Sequence, residues 1–210
     1  MAGRSLRSII RRSLVETPYH ALRKRMNWFN LFRKSHVADE KARRLAIVWL
    51  ARGEEFGTKS QHRQAMRCFD RGMSLDPRNQ KGWVHKGNAL GFLGSHRKAL
   101  ACFDRALELN PEDPYAWLGK GGAYASLRRH SEALECFDRA LELDSENPLA
   151  WANRGITLTF LDRHPAAMES CDRAIELDPD AACAWVARGV ALGNCGQHRE
   201  ALRCFDRARD

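Results

Sequence analysis

The chain has 210 residues and a formal charge of +9, from 35 Lys and Arg against 26 Asp and Glu. A hydrophobic fraction of 44% beside 29% charged residues excludes general disorder, and the sequence has no run of the roughly 18 apolar residues that a transmembrane helix needs. The charge is unevenly placed, with 12 basic and three acidic residues in 1–44 and 23 of each sign in the remaining 166.

In chain order, the first predicted element is a basic amphipathic segment. Leu6, Ile9, Ile10 and Leu14 recur near helical spacing, with Arg4, Arg7, Arg11 and Arg12 among them, and Thr17-Pro18 ends the run. Next come Arg23, Lys24 and Arg25, then Trp28, Phe29 and Phe32, then Arg33 and Lys34. Ile9-Ile10 is too short for the apolar core of a secretory signal. No apolar stretch follows Arg11-Arg12 either, so a twin-arginine export signal does not fit. Four readings compete for this leader. It is a capping helix that covers the first following unit with Leu22, Met26, Trp28, Phe29 and Phe32; or a surface helix on an anionic membrane; or, ranked below that, a basic-aromatic nucleic-acid binder; or a cleaved transit peptide. Asp39 is expected to cap a helix that runs on through Leu45 and Val48.

From about residue 46 the sequence repeats. Trp49, Trp83, Trp117, Trp151 and Trp185 stand 34 residues apart, and Gly53, Gly87, Gly121, Gly155 and Gly189 keep the same step. Ala65, Ala99, Ala133, Ala167 and Ala201 do so too, as do the five His from His62 to His198 and the five Asp-Arg pairs from Asp70-Arg71 to Asp206-Arg207. Each unit predicts two helices. In residues 80–113, Asn79 is a candidate N-cap, and Trp83, Gly87 and Leu90 recur at helical spacing until Gly91 and Gly94. Ala99, Leu100, Phe103, Ala106 and Leu107 then form a second apolar stripe, which Asn110-Pro111 stops. Asp113 and Asn147 occupy the Asn79 slot, with Pro114 and Pro148 in the first helical turn.

These residues resemble the tetratricopeptide repeat family, whose signature is an aromatic and then Gly on the first helix, and Ala, an aromatic and Ala on the second, with Pro closing the unit. Trp83, Gly87, Ala99, Phe103, Ala106 and Pro111 supply it. The departures are Cys171 for the second aromatic, Gly72 for the later Ala, and Ser145 for Pro. A basic ladder of Arg52, Lys86, Lys120, Arg154 and Arg188 also replaces the usual Leu. The resemblance implies an all-α, right-handed α-solenoid of about five helix-turn-helix units (46–79, 80–113, 114–147, 148–181, 182–210), with 1–44 as an extension and 45–210 as the repeat domain. The sequence stops at Asp210, inside the second helix of its fifth unit. The expectation there is a fragment or a naturally short gene product.

No phosphate-cradling glycine loop, GxSxG, HExxH or CxxC occurs, so the reading is a non-enzyme without cofactor or metal. His and Cys in one unit lie six residues apart, on different helix faces, so they read as turn and core residues. The pairs Glu135–Arg139 and Glu169–Arg173 have favourable helical spacing, and the Asp-Arg ladder reads as a solvated face. Seven Cys without a secretory signal point to reduced thiols. The expected location is therefore cytoplasmic, with mitochondrial or peripheral-membrane placement as alternatives.

The family likeness implies that partners lie along a groove lined by first helices. Its residues here are Leu50 and Glu54 in the first unit, Lys81, Val84, Asn88 and Phe92 in the second, and Tyr115, Leu118 and Ser126 in the third. Leu149, Ala152, Ile156 and Phe160 follow in the fourth, then Val186, Val190 and Asn194. The carboxylate clamp of some members does not fit: Leu50, Val84 and Leu118 stand where its Lys belongs, and Gly119 and Leu149 lack its polar contacts. The expected function is an adaptor that takes an apolar helical segment of another protein. A regulatory domain of a larger enzyme is one alternative. A scaffold tethered to membrane or RNA by the leader is another.

Overall fold

The computed structural model describes residues 39–209. The chain divides into two units, Met1–Leu45 and Ala46–Asp210. The basic leader, from Arg4 to Lys34, lies outside the described residues.

Ten helices and no strand are found among the described residues. They are α1 (39–58), α2 His62–Leu75, α3 Gln80–Phe92, α4 His96–Leu109, α5 Pro114–Ser126, α6 His130–Leu143, α7 Pro148–Phe160, α8 His164–Leu177, α9 Ala182–Asn194 and α10 His198–Arg207. The chain is already helical at Asp39, which therefore lies within α1 and not at its cap. Leu45 and Val48 do sit on that helix. From α3 on, each odd helix packs on the even helix after it and on the even helix before it, so hairpins stack in sequence.

The expected caps form. Asn79 accepts from Gly82 N–H at 3.0 Å, Asp113 from Tyr115 N–H at 2.8 Å, and Asn147 from Ala150 N–H at 3.1 Å. Each satisfies an N–H that the first helical turn leaves without a partner. Between units the chain turns through a side-chain bridge: the carboxylate or amide oxygen of Asp76, Asn110, Asp144 and Asp178 accepts from the N–H two residues on. This explains why Ser145 can replace Pro. The turn is held by Asp144, and α6 still ends at Leu143.

The Trp ladder has a polar role besides its bulk. The indole N–H of Trp83, Trp117, Trp151 and Trp185 donates to the carbonyl of Pro77, Pro111, Ser145 and Pro179 at 2.8–2.9 Å. Only a backbone oxygen is needed there, which Ser145 also provides. The Gly ladder is a close-approach device. A Cβ on Gly87 would fall 2.7 Å from Phe103, and one on Gly121 would fall 2.6 Å from Phe137. Gly155 faces Cys171, at 2.5 Å from its sulfur, where the aromatic is missing. The Ala ladder is fully buried at Ala65, Ala99, Ala133 and Ala167. The core is thus a string of small clusters along the seams between helices.

Candidate functional groove

Two cavities open between first helices. The first, of about 620 Å³, is bounded by α3, α5 and the start of α7. Asn88, Phe92, Tyr115, Leu118, Ser126 and Leu149 line it. The second, of about 560 Å³, lies between α7 and α9 and is lined by Ile156, Phe160, Cys183, Val186, Val190 and Asn194. So the continuous row expected from sequence is divided into two apolar hollows.

Five expected groove residues lie elsewhere. Leu50, Val84 and Ala152 are buried at 6%, 5% and 0% exposure and belong to the packing of the hairpins. Each faces a neighbouring helix: Leu50, for example, closes over Gly72 and Gly82. Glu54 and Lys81 are exposed and line neither cavity. Glu54 instead meets His85 Nε2 at 2.9 Å. Sequence reasoning also missed Gly87, Gly91, His96, Phe103, Gly119, Gly122, Ala123, Asn147 and Asn153 in the first cavity, and Thr159, Asp162 and Ala187 in the second. The signal was the glycine content of α3 and α5. Where a first helix has no side chain, residues of the second helix such as Phe103 become the floor of the hollow.

The hollows carry projecting aromatics. Phe92 is 75% exposed, Tyr115 61% and Phe160 63%. Phe92 stacks on His62 of the preceding unit with ring centroids 4.6 Å apart, and Phe160 on His130 at 4.8 Å. These contacts hold each ring upright at the groove rim. His62 and His130 are the first residues of α2 and α6, one position past the N-cap residues Gln61 and Arg129. At these two positions of the ladder the His is a stacking residue, not the turn cap expected from its position. The Nδ1 atoms of His96, His130 and His164 are buried without a hydrogen-bond partner.

The charged ladders pair with each other. Lys86 meets Asp70 at 2.7 Å, Lys120 meets Asp104 at 2.8 Å, Arg154 meets Asp138 at 2.7 Å, and Arg188 meets Asp172 at 2.5 Å. Each bond joins the first helix of one unit to the second helix of the unit before. The same cations lie over Trp83, Trp117 and Trp151 at 5.3–5.8 Å. Arg154 also donates to Ser170 Oγ at 2.6 Å, which rationalises a buried Ser in place of Cys. The Asp-Arg ladder is thus not simply a solvated face. Nor do Glu135 and Glu169 hold the arginines four residues on: Arg139 pairs with Glu142, and Arg173 with Glu176 and Glu146.

All seven thiols are free. Burial pushes the Cys136 thiol up to about 11 and the Cys171 thiol up to about 12. Among the described residues no cluster of three or more His, Cys, Asp or Glu is placed to hold a metal ion, and no helix is long and apolar enough to cross a membrane.

The fold defines a helical-hairpin repeat protein with two apolar hollows between its first helices. Models of the tetratricopeptide repeat match residues 84–148, 123–182 and 170–203, and the chain belongs to that family, whose fold generally mediates protein–protein interactions. No curated protein sequence matches it. Among solved structures it is similar to MamA, at 22% identity and a TM-score of 0.63, covering 74% of this chain and 91% of that one. It is also similar to YrrB, described as a TPR protein with an unusual peptide-binding site, at 22% identity and a TM-score of 0.60, covering 78% and 84%. The thermophilic TPR protein TTC0263 of Thermus thermophilus aligns at 18% identity and a TM-score of 0.69, covering 78% and 89%. At such identities the likeness concerns the fold.

Proposed function

We propose that the chain is a non-enzymatic adaptor, with 45–210 as its binding domain, that takes an apolar, helical segment of another protein in the groove formed by α3, α5, α7 and α9. The observation that carries this reading is the pair of hollows, each with an exposed Phe braced by the His of the preceding unit. Large rings already held in place lose little freedom on binding, which favours them as anchors. A helix that offers apolar residues at helical spacing suits such a row of hollows. The lining has no Lys or Arg, so an acidic tail finds no permanent counter-charge there.

The test is paired Phe92→Asp and Phe160→Asp substitution. Both side chains are mostly exposed, so helical content by circular dichroism should not change. Affinity purification with wild type identifies a partner, and the purified partner is then titrated against both proteins. The double variant is expected to weaken binding by ~100-fold or more, as loss of two central anchors does. Equal affinity for wild type and variant would place the partner outside this groove.

A further inference from the structure

The first and last described helices, α1 and α10, carry matching halves of an internal junction. At every internal junction the first helix of one unit covers the second helix of the unit before. Phe69, Phe103 and Phe137 are consequently 3%, 2% and 1% exposed, and Leu134 is 9% exposed. Their 34-step equivalents on α10 are uncovered: Phe205 is 39% exposed and Leu202 62%. Inside the array, Phe103 is covered by Gly119, on which a Cβ would collide with the ring. Leu134 is covered by Leu158. The equivalents of Gly119 and Leu158 on α1 are Ala51, which is small and exposed, and Phe56, which is half-buried.

The charged ladders end the same way. Four ion pairs join the two sets of five, each linking a cation to the Asp 16 residues earlier. Two members are left over. Arg52 opens the basic ladder and has no carboxylate partner among the described residues, and Asp206 closes the acidic ladder and has no cationic one. They are opposite in sign and sit on the first and last described helices, in the same register as the four pairs formed between them.

The geometry points to head-to-tail self-association, in which the α10 face of one copy receives α1 of a second copy. Phe205 and Leu202 are covered by Ala51 and Phe56 of the second copy, and Asp206 pairs with its Arg52. Such a contact is heterologous, so it extends to chains and does not close at a dimer. It uses a surface separate from the groove and does not depend on what the groove binds.

Sedimentation velocity and light scattering on the full 210-residue chain, over a wide concentration range, test this. Wild type should show a weight-average mass that rises with concentration and passes that of a dimer. Asp206→Arg places like charges together and should weaken association by ~10-fold or more. Arg52→Glu should do the same. An equimolar mixture of the two single variants restores opposite charges wherever the two kinds meet, so association should return in alternating chains, and the double variant, in which every junction again joins opposite charges, should associate by itself. Phe92→Asp with Phe160→Asp should associate like wild type, which separates this surface from the groove. A chain that stays monomeric at all concentrations overturns the proposal. So does a mass that stops at a dimer, or association that the charge reversals leave unaltered.

Discussion

At the scale of single residues, repetition gives the same answer several times over. Gly53, Gly87, Gly121 and Gly189 each face a Phe of the following helix, and Gly155 faces Cys171. The lone departure therefore keeps the small residue while losing the large one. Gly121 is the clearest test. Its missing Cβ would lie 2.6 Å from Phe137, which is 1% exposed and has nowhere to move. Gly121→Leu forces α5 and α6 apart, and Ala133→Trp does the same from the facing helix, where Ala133 is fully buried. Each should cost about 1–3 kcal/mol or more by overpacking, read as a lower midpoint in urea. No loss in either variant would remove the close-approach account of the Gly and Ala ladders.

At the scale of helices and turns, much was legible because the signal is local. The 34-residue step, the caps at Asn79, Asp113 and Asn147, and the stop before Pro111 all depend on neighbours along the chain. What could not be read lies across helices or in a backbone angle. The ion pairs join residues 16 apart on two helices, so neither ladder announced the other. Leu50, Val84 and Ala152 look like Leu118 and Ile156 in a periodic pattern, and only packing shows that they turn inward. The turn inside each hairpin is a further case. Ser60, Gly94, Arg128, Asp162 and Gly196 stand 34 apart, and all have positive φ, from 55° to 80°. Only two of the five are Gly, so the sequence hid the left-handed position. A side chain there costs about 1–2 kcal/mol, and Gly loses roughly 0.5–1 kcal/mol more backbone entropy than other residues on folding. Arg128→Gly should therefore stabilise by about 0.5–1 kcal/mol, a rise in melting temperature of a few degrees. Arg128 is exposed and its side chain has no hydrogen-bond partner among the described residues, so little opposes the gain. A lower melting temperature would show that Arg128 contributes something beyond its backbone angle.

At the scale of the whole molecule, the array is a one-dimensional stack in which each seam supports its neighbours. The seams share a chemistry that makes the protein sensitive to alkali. Burial holds the Cys171 thiol at about 12 and the Cys136 thiol at about 11, against 9.0 when unfolded. The folded chain therefore keeps protons that the unfolded chain releases above pH 9, and stability falls as pH rises from there. Burial also acts to lower Lys120, but the hydrogen bond and charge of Asp104 outweigh it, so the ammonium is raised above 10.5. Its contribution is fully present below that value and is lost as pH climbs through the raised one. Both effects have the same sign, and they begin in order, the thiols first. The melting temperature should therefore hold level from about pH 7 to 9 and then fall, more steeply beyond about pH 10.5. Cys171→Ala removes one thiol and should flatten the whole decline from about pH 9 to about 12, while leaving the added steepening beyond about pH 10.5 in place. Lys120→Met should do the reverse. The comparison rests on the slope with pH and not on absolute stability, since both variants also change packing. If wild type and Cys171→Ala lose stability with the same slope between pH 9 and 10.5, the buried thiol is not what ties this stack to the neutral range.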